Sequence, residues 1–248
     1  MERLGLIGGT GLDEWGAAGV PCTIDNRYGP PSAQPLEYEL SGVRVYFLPR
    51  HGHEHQIPPH AVNYRANIDA FRQLNVEGVI AVNAVGGITS NYYPGTLAVP
   101  DQLIDYTWGR AHSFSLEESD VLQHVEFAEP FSDHLRRALL SAAGMARVDV
   151  IDGACLAVSQ GPRLETAAEI ERFRRDGCDL VGMTTMPEAA LAREAGLDYT
   201  SLCVSANWGA GIGDAPVTMQ DIDETLAEAM GSVRKLFATL FGGYAGVC

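Results

Sequence analysis

The sequence predicts an α/β fold: a single domain with a central, mixed, twisted β-sheet flanked by helices, spanning residues 1–248. Three observations carry that expectation. Short apolar or alternating runs recur along the chain, each with the length of a buried strand. Helix-period segments fall between several of them. The chain has 248 residues and 46% hydrophobic content, enough for one sizeable core.

The strand-like runs are Leu4 to Ile7, Val43 to Leu48, Gly78 to Val82, Leu97 to Val99, Val148 to Ile151, Leu156 to Ser159, Leu180 to Met183 and Tyr199 to Val204. Between them, Tyr64, Ile68, Phe71 and Leu74 share one helical face, and Ala168, Ile170 and Phe173 share another. An Ala-rich helix is expected from Pro187 to Ala195, and a last one from about Met219 to Phe241. No repeat of 20 to 50 residues and no low-complexity linker interrupts the pattern. In sheets of this kind ligands sit at strand ends, so residues that directly follow a strand are the first candidates for a site.

A formal charge of −15 repels polyanions, which argues against nucleic acid and membrane surfaces as partners. A small anion held by a few focused cations remains compatible with it. Cys22, Cys155, Cys178, Cys203 and Cys248 form no CxxC pair and no even framework, which fits reduced thiols and no metal. The chain opens on the strand-like LGLIGG, without a basic segment and apolar stretch, and no apolar run reaches membrane-spanning length. The expected location is the cytoplasm.

Six segments carry chemistry. In GLIGGTGL a strand runs into Gly8, Gly9, Thr10 and Gly11, either a tight turn or a set of backbone N–H groups and a hydroxyl aimed at a phosphate. It fails the dinucleotide fingerprint, which needs glycine where Glu14 stands, and it lacks the P-loop lysine. The next segment, after a strand, sets Arg50, His51, His53, His55 and His60 close together. Arg50 with His51 reads as an anion clamp, against a solvated loop or a histidine metal site for which no carboxylate or cysteine falls at a usual offset.

In VNAVGGI, Asn83, Ala84 and Gly86 suit either sugar or phosphate contact or plain packing. Glu165 of SQGPRLET precedes a helix, where a carboxylate satisfies the first turn or faces a ring edge. In LVGMTTMPE, Thr185 suits a helix cap and Thr184 a phosphate, with Met183 beneath a sugar. Asn207 of SANWG either caps a turn or reads a base with one donor and one acceptor.

Together IGGTGL, RHGHEHQIPPHAVNYRANI, PGTLAVPDQLID, GPRLET and MTTMPEAALAREAG resemble the trimeric purine nucleoside phosphorylase and methylthioadenosine phosphorylase family, in order and spacing, from Leu4 to about Leu226. The resemblance implies the nucleoside phosphorylase fold, a homotrimer, no cofactor, and inorganic phosphate as co-substrate beside a purine nucleoside. It places Thr10, Arg50, His51, Ala84 and Thr184 on phosphate, with Asn83 joining them where relatives carry a hydroxyl residue. Met183 is then expected against the ribose, and Leu164 stands where relatives stack an aromatic on the base. His124 corresponds to a residue that reaches into the neighbouring subunit's site. Asn207 and Glu165 would stabilise the departing purine.

Methylthioadenosine phosphorylases carry aspartate at positions 207 and 209 and serine at 165, whereas this chain has Asn207, Gly209 and Glu165. Asparagine with glutamate is the pattern of 6-oxopurine enzymes, because a carboxylate accepts the N1–H that hypoxanthine offers and adenine lacks. Met219 falls where ordinary purine nucleoside phosphorylases place a histidine near the 5′-hydroxyl, and a thioether suits a 5′-methylthio group. The expected substrate is therefore S-methyl-5′-thioinosine; the alternatives are inosine or guanosine, and methylthioadenosine.

Overall fold

The computed structural model describes residues 2–12, 15, 19–115, 122–213 and 217–242. Glu14 and Cys248 lie outside them. Strand β1 (Arg3–Gly8) is flanked by two parallel neighbours, β4 (Val43–Pro49) and β5 (Gly78–Gly87). On the far side of β5 runs β11 (Asp198–Trp208), parallel over its whole length. Beyond β4 the sheet continues antiparallel into β3 (Leu36–Leu40) and the two-residue β2 (Val20–Pro21). Beyond β11 come β6 (Leu97–Val99), antiparallel, and β8 (Val150–Asp152).

β1 stops at Gly8 while β5 carries on to Gly87. Past that point β10 (Leu180–Gly182) takes over the vacated edge, antiparallel, and leads to β9 (Cys155–Val158) and β7 (Gln102–Asp105). The sheet is thus mixed, and it forks where β1 ends.

Side-chain alternation builds the layers. Leu4, Leu6, Val45, Phe47, Ile80, Val82, Leu202 and Val204 face one way, under α2 (Asp133–Ala146) and α5 (Met219–Leu240). Ile7, Tyr46, Leu48, Val79, Ala81 and Cys203 face the other way, under α1 (Tyr64–Gln73) and α4 (Thr185–Glu194). A smaller cluster of Ile170, Phe173, Ala157 and Val181 seats α3 (Ala167–Arg175) on the β9–β10 branch. The helices expected from sequence are present at α1, α3, α4 and α5. α2 was not anticipated: it packs through Leu135, Leu139 and small alanines, with Ser132 as N-cap.

Candidate active site

A cavity of about 360 Å³ opens at the fork, and strand ends supply much of its lining. Gly9 and Thr10 come from the end of β1, Arg50 and His51 from β4, Ala84 and Gly86 from β5, Met183 and Thr184 from β10, and Ala206 and Asn207 from β11. Leu164, Glu165 and Met219 also line the cavity, as do Ile222 and the loop segment 55–59. The backbone must pass close to its neighbours here. A Cβ on Gly9 would lie 2.4 Å from the Val82 carbonyl oxygen and 2.9 Å from Arg50 Nη1, so only glycine fits.

Arg50 is 1% exposed, and its charge is compensated within the core. Its Nε and Nη2 donate to the two oxygens of Glu188, each at 2.9 Å, and Nη1 donates to the Val82 carbonyl at 3.1 Å. Glu188, 0% exposed, also accepts from the Tyr199 hydroxyl at 2.8 Å. Burial alone would pull the guanidinium down, but the paired Glu188 more than reverses that, so Arg50 stays charged. Three of the five guanidinium N–H groups are taken, leaving two for an anion. His51 Nδ1 donates to the Ile57 carbonyl at 2.7 Å, which fixes the ring, and the His55 ring packs against it at 4.6 Å between centroids. Thr10 Oγ1 lies 3.5 Å from His55 Nε2.

Thr184 is the N-cap of α4 but makes no capping bond with its side chain. Its hydroxyl donates instead to Asn83 Oδ1 at 3.2 Å. Asn83 in turn donates to Thr185 Oγ1 at 3.1 Å and to Ser201 Oγ at 2.6 Å. Both N–H groups of Asn83 are thus used inside the core, it does not line the cavity, and it steadies Thr184 from behind. Thr185, offered as a possible helix cap, is likewise a buried acceptor for Asn83.

At the opposite wall, the turn into α3 is closed by Thr166 and Glu169, whose side chains and backbone N–H groups bond reciprocally. Glu165 is therefore not needed at the helix start. It accepts from the Ser159 hydroxyl at 2.5 Å and lines the cavity. Asn207 reaches the same cavity beside a bulge: the β11–β5 register shifts between Ser205 and Asn207, and Ala206 and Asn207 both line it. The Asn207 amide donates to the Trp208 carbonyl at 2.7 Å, which leaves it a second N–H and its oxygen.

Leu164, 42% exposed, and Met219, 63% exposed and first in α5, stand at the mouth. Gly209 is adjacent to the wall without lining it. A Cβ there would meet Ile170 Cδ1 and Cγ2 at 3.2 Å. His124 is exposed, in a segment ahead of α2, and does not line this cavity.

Three contributors were not legible in advance. Glu188 sits in the apolar run MPEAAL, where an isolated acid signals a buried partner. Ser159 and Arg110 carried no such signal. Arg110 donates to the carbonyls of Met183 at 2.8 Å, Met186 at 2.5 Å, Ser159 at 3.3 Å and Gln160 at 2.8 Å, tying the two walls together, and burial lowers its guanidinium from its ordinary value. Among the described residues no cluster of three metal-ligating side chains occurs, and no helix is long and apolar enough to cross a membrane.

Residues 3–241 match the model of the Phosphorylase superfamily. A probable S-methyl-5′-thioinosine phosphorylase of Xanthomonas campestris pv. campestris is 49% identical, over 97% of this chain and 97% of that protein. The S-methyl-5′-thioadenosine phosphorylase of Thermofilum pendens is 38% identical, over 96% and 90% respectively. The structure of methylthioadenosine phosphorylase from Schistosoma mansoni in complex with adenine superposes with a TM-score of 0.90 at 30% identity, covering 97% of this chain and 91% of that one.

Proposed function

The chain belongs to the Phosphorylase superfamily, and we propose that it splits S-methyl-5′-thioinosine with inorganic phosphate into hypoxanthine and 5-methylthioribose 1-phosphate. It is a pentosyltransferase of the nucleoside phosphorylase type. The observation that carries the choice of substrate is the convergence of Glu165 and Asn207 on the one cavity that also holds Arg50, His51, Thr10 and Thr184.

Phosphate is held by Arg50, whose two remaining N–H groups provide the charge-assisted contacts, together with His51, Thr10, Thr184 and the backbone at Ala84. A phosphate oxygen forms the new bond to the anomeric carbon as the bond from that carbon to purine N9 breaks. The departing electron pair moves onto the purine. Holding the two reactants at near-attack distance and stabilising that growing negative charge are the two tasks of the protein. The second N–H of Asn207 donates to the purine at N7 or O6 as charge accumulates. Glu165 accepts N1–H. No cofactor and no covalent nucleophile enters.

Adenine N1 bears a lone pair, and set against a carboxylate it leaves both groups unpaired, at about 1–3 kcal/mol each. Gly209 supports the same choice, because the aspartate of adenine-specific relatives would press on Ile170. Met183 lies along the ribose, Leu164 beside the base and Met219 by the 5′-methylthio group. The likeness to methylthioadenosine enzymes favours the adenine nucleoside as the second reading. The enzyme works as a cytoplasmic homotrimer, with the exposed His124 reaching a neighbour's cavity; the family resemblance supports this.

Thermal protection tests the reading. Phosphate and hypoxanthine should each raise the unfolding midpoint, and hypoxanthine should be released from methylthioinosine only when phosphate is present. Protection by a nicotinamide dinucleotide, or release without phosphate, would overturn it.

A further inference from the structure

We propose that Ser159 is a positioning residue that sets the choice of base through Glu165; this rests on the role given to Glu165 above. Ser159 is the first residue beyond β9 and is buried. Its backbone is fixed at both ends: the N–H donates to the Gly182 carbonyl at 2.8 Å, and the carbonyl accepts from Arg110 Nη2 at 3.3 Å. The hydroxyl therefore starts from a set origin. It donates to Glu165 Oε1 at 2.5 Å, since a carboxylate oxygen can only accept.

Ser159 approaches Glu165 from behind. It lines a second, smaller cavity of about 260 Å³ beside Trp108 and Gln160, and not the main one, whereas Glu165 lines both. The pair forms the partition between them. The terminal torsion of a glutamate is broad, so a carboxylate anchored only by its stem loses its aim. Ser159 fixes Oε1 and leaves Oε2 for the purine. Its one hydrogen is committed to Glu165, so the pair offers the ring edge an acceptor and no donor. A lactam N–H is matched. A ring nitrogen that needs a donor is not.

The test compares wild type with Ser159→Ala, Ser159→Cys and Ser159→Thr, using steady-state phosphorolysis of methylthioinosine and competitive inhibition by hypoxanthine and adenine. Wild type without activity on methylthioinosine would defeat the substrate reading itself, separately from this proposal. With wild type active, Ser159→Ala should lose about tenfold in kcat/KM, as expected when a hydrogen bond to a charged group is removed. The preference for hypoxanthine over adenine should fall by a similar factor, while KM for phosphate stays unchanged. Ser159→Cys, a weak donor, should fall between, and Ser159→Thr should recover most of the preference. An unchanged hypoxanthine-to-adenine ratio in both Ser159→Ala and Ser159→Cys would overturn the proposal. So would a loss shared equally by both bases and phosphate.

Discussion

The buried pair of Arg50 and Glu188 yields a prediction in which stability and ligand binding are linked. Glu188→Gln keeps the shape and an acceptor for Tyr199 but removes the charge that faces Arg50. Both side chains are at most 1% exposed, and the contact is bidentate at 2.9 Å on each arm. An uncompensated buried charge costs about 3–5 kcal/mol when one partner is removed. For a chain of this length that corresponds to a fall of roughly 6–20 °C in the unfolding midpoint. Arg50 also lines the cavity, so a phosphate dianion can supply the missing counter-charge. Phosphate should therefore stabilise Glu188→Gln by more degrees than it stabilises wild type. Thermal unfolding of both proteins, at one protein concentration and across a phosphate series, measures this. A variant within about 1 kcal/mol of wild type, or equal phosphate shifts in the two proteins, would refute the clamp.

Asn207→Asp replaces an N–H donor with a second acceptor beside the Trp208 carbonyl, and should lower kcat/KM on the 6-oxopurine nucleoside by about 100-fold; combined with Glu165→Ser it should move activity toward the adenine nucleoside, as parallel assays on both substrates will show. Gly209→Ala sets a methyl 3.2 Å from Ile170 and should destabilise by about 1–3 kcal/mol in urea unfolding; full stability would mean that α3 yields freely. Glu169 is depressed to about 2, first by its bond from Arg163 and then by the Thr166 N–H. A depressed carboxylate stabilises above its unfolded value of about 4.3, and that contribution is lost as pH falls through about 2. The midpoint difference between wild type and Glu169→Gln should thus be full at pH 6 and vanish near pH 2; a difference independent of pH would contradict the pairing.

The central strands were legible because burial on both faces leaves an unbroken apolar run, as in Leu4 to Ile7 and Tyr199 to Val204. Their ends were not. β5 extends past Val82 through Asn83 and two glycines, residues without strand character, because β11 pairs with it along that stretch. β2 and β7 are short edge pieces without an apolar run, whereas β3, LEYEL, alternates apolar and charged residues as a half-buried strand does. In the site, Thr10, Arg50, His51, Ala84, Leu164, Glu165, Met183, Thr184, Asn207 and Met219 line one cavity. Local reasoning failed where a residue's task is set from far along the chain. Asn83 is committed to Thr185 and Ser201, and only the fold brings Glu188 to Arg50, whereas Ser159 stands six residues before Glu165. Glu165 was ambiguous until Thr166 and Glu169 proved to close the turn of α3.

The proposed pairing has a carboxylate and an amide reading a lactam edge while an apolar mouth takes a methylthio group. Its most direct test is kcat/KM for S-methyl-5′-thioinosine, inosine and methylthioadenosine, measured side by side at saturating phosphate. Methylthioinosine should exceed each of the others by about tenfold or more, as expected for one unmatched buried polar contact. Equal or faster cleavage of methylthioadenosine would contradict the roles of Glu165 and Asn207, and equal or faster cleavage of inosine would contradict that of Met219.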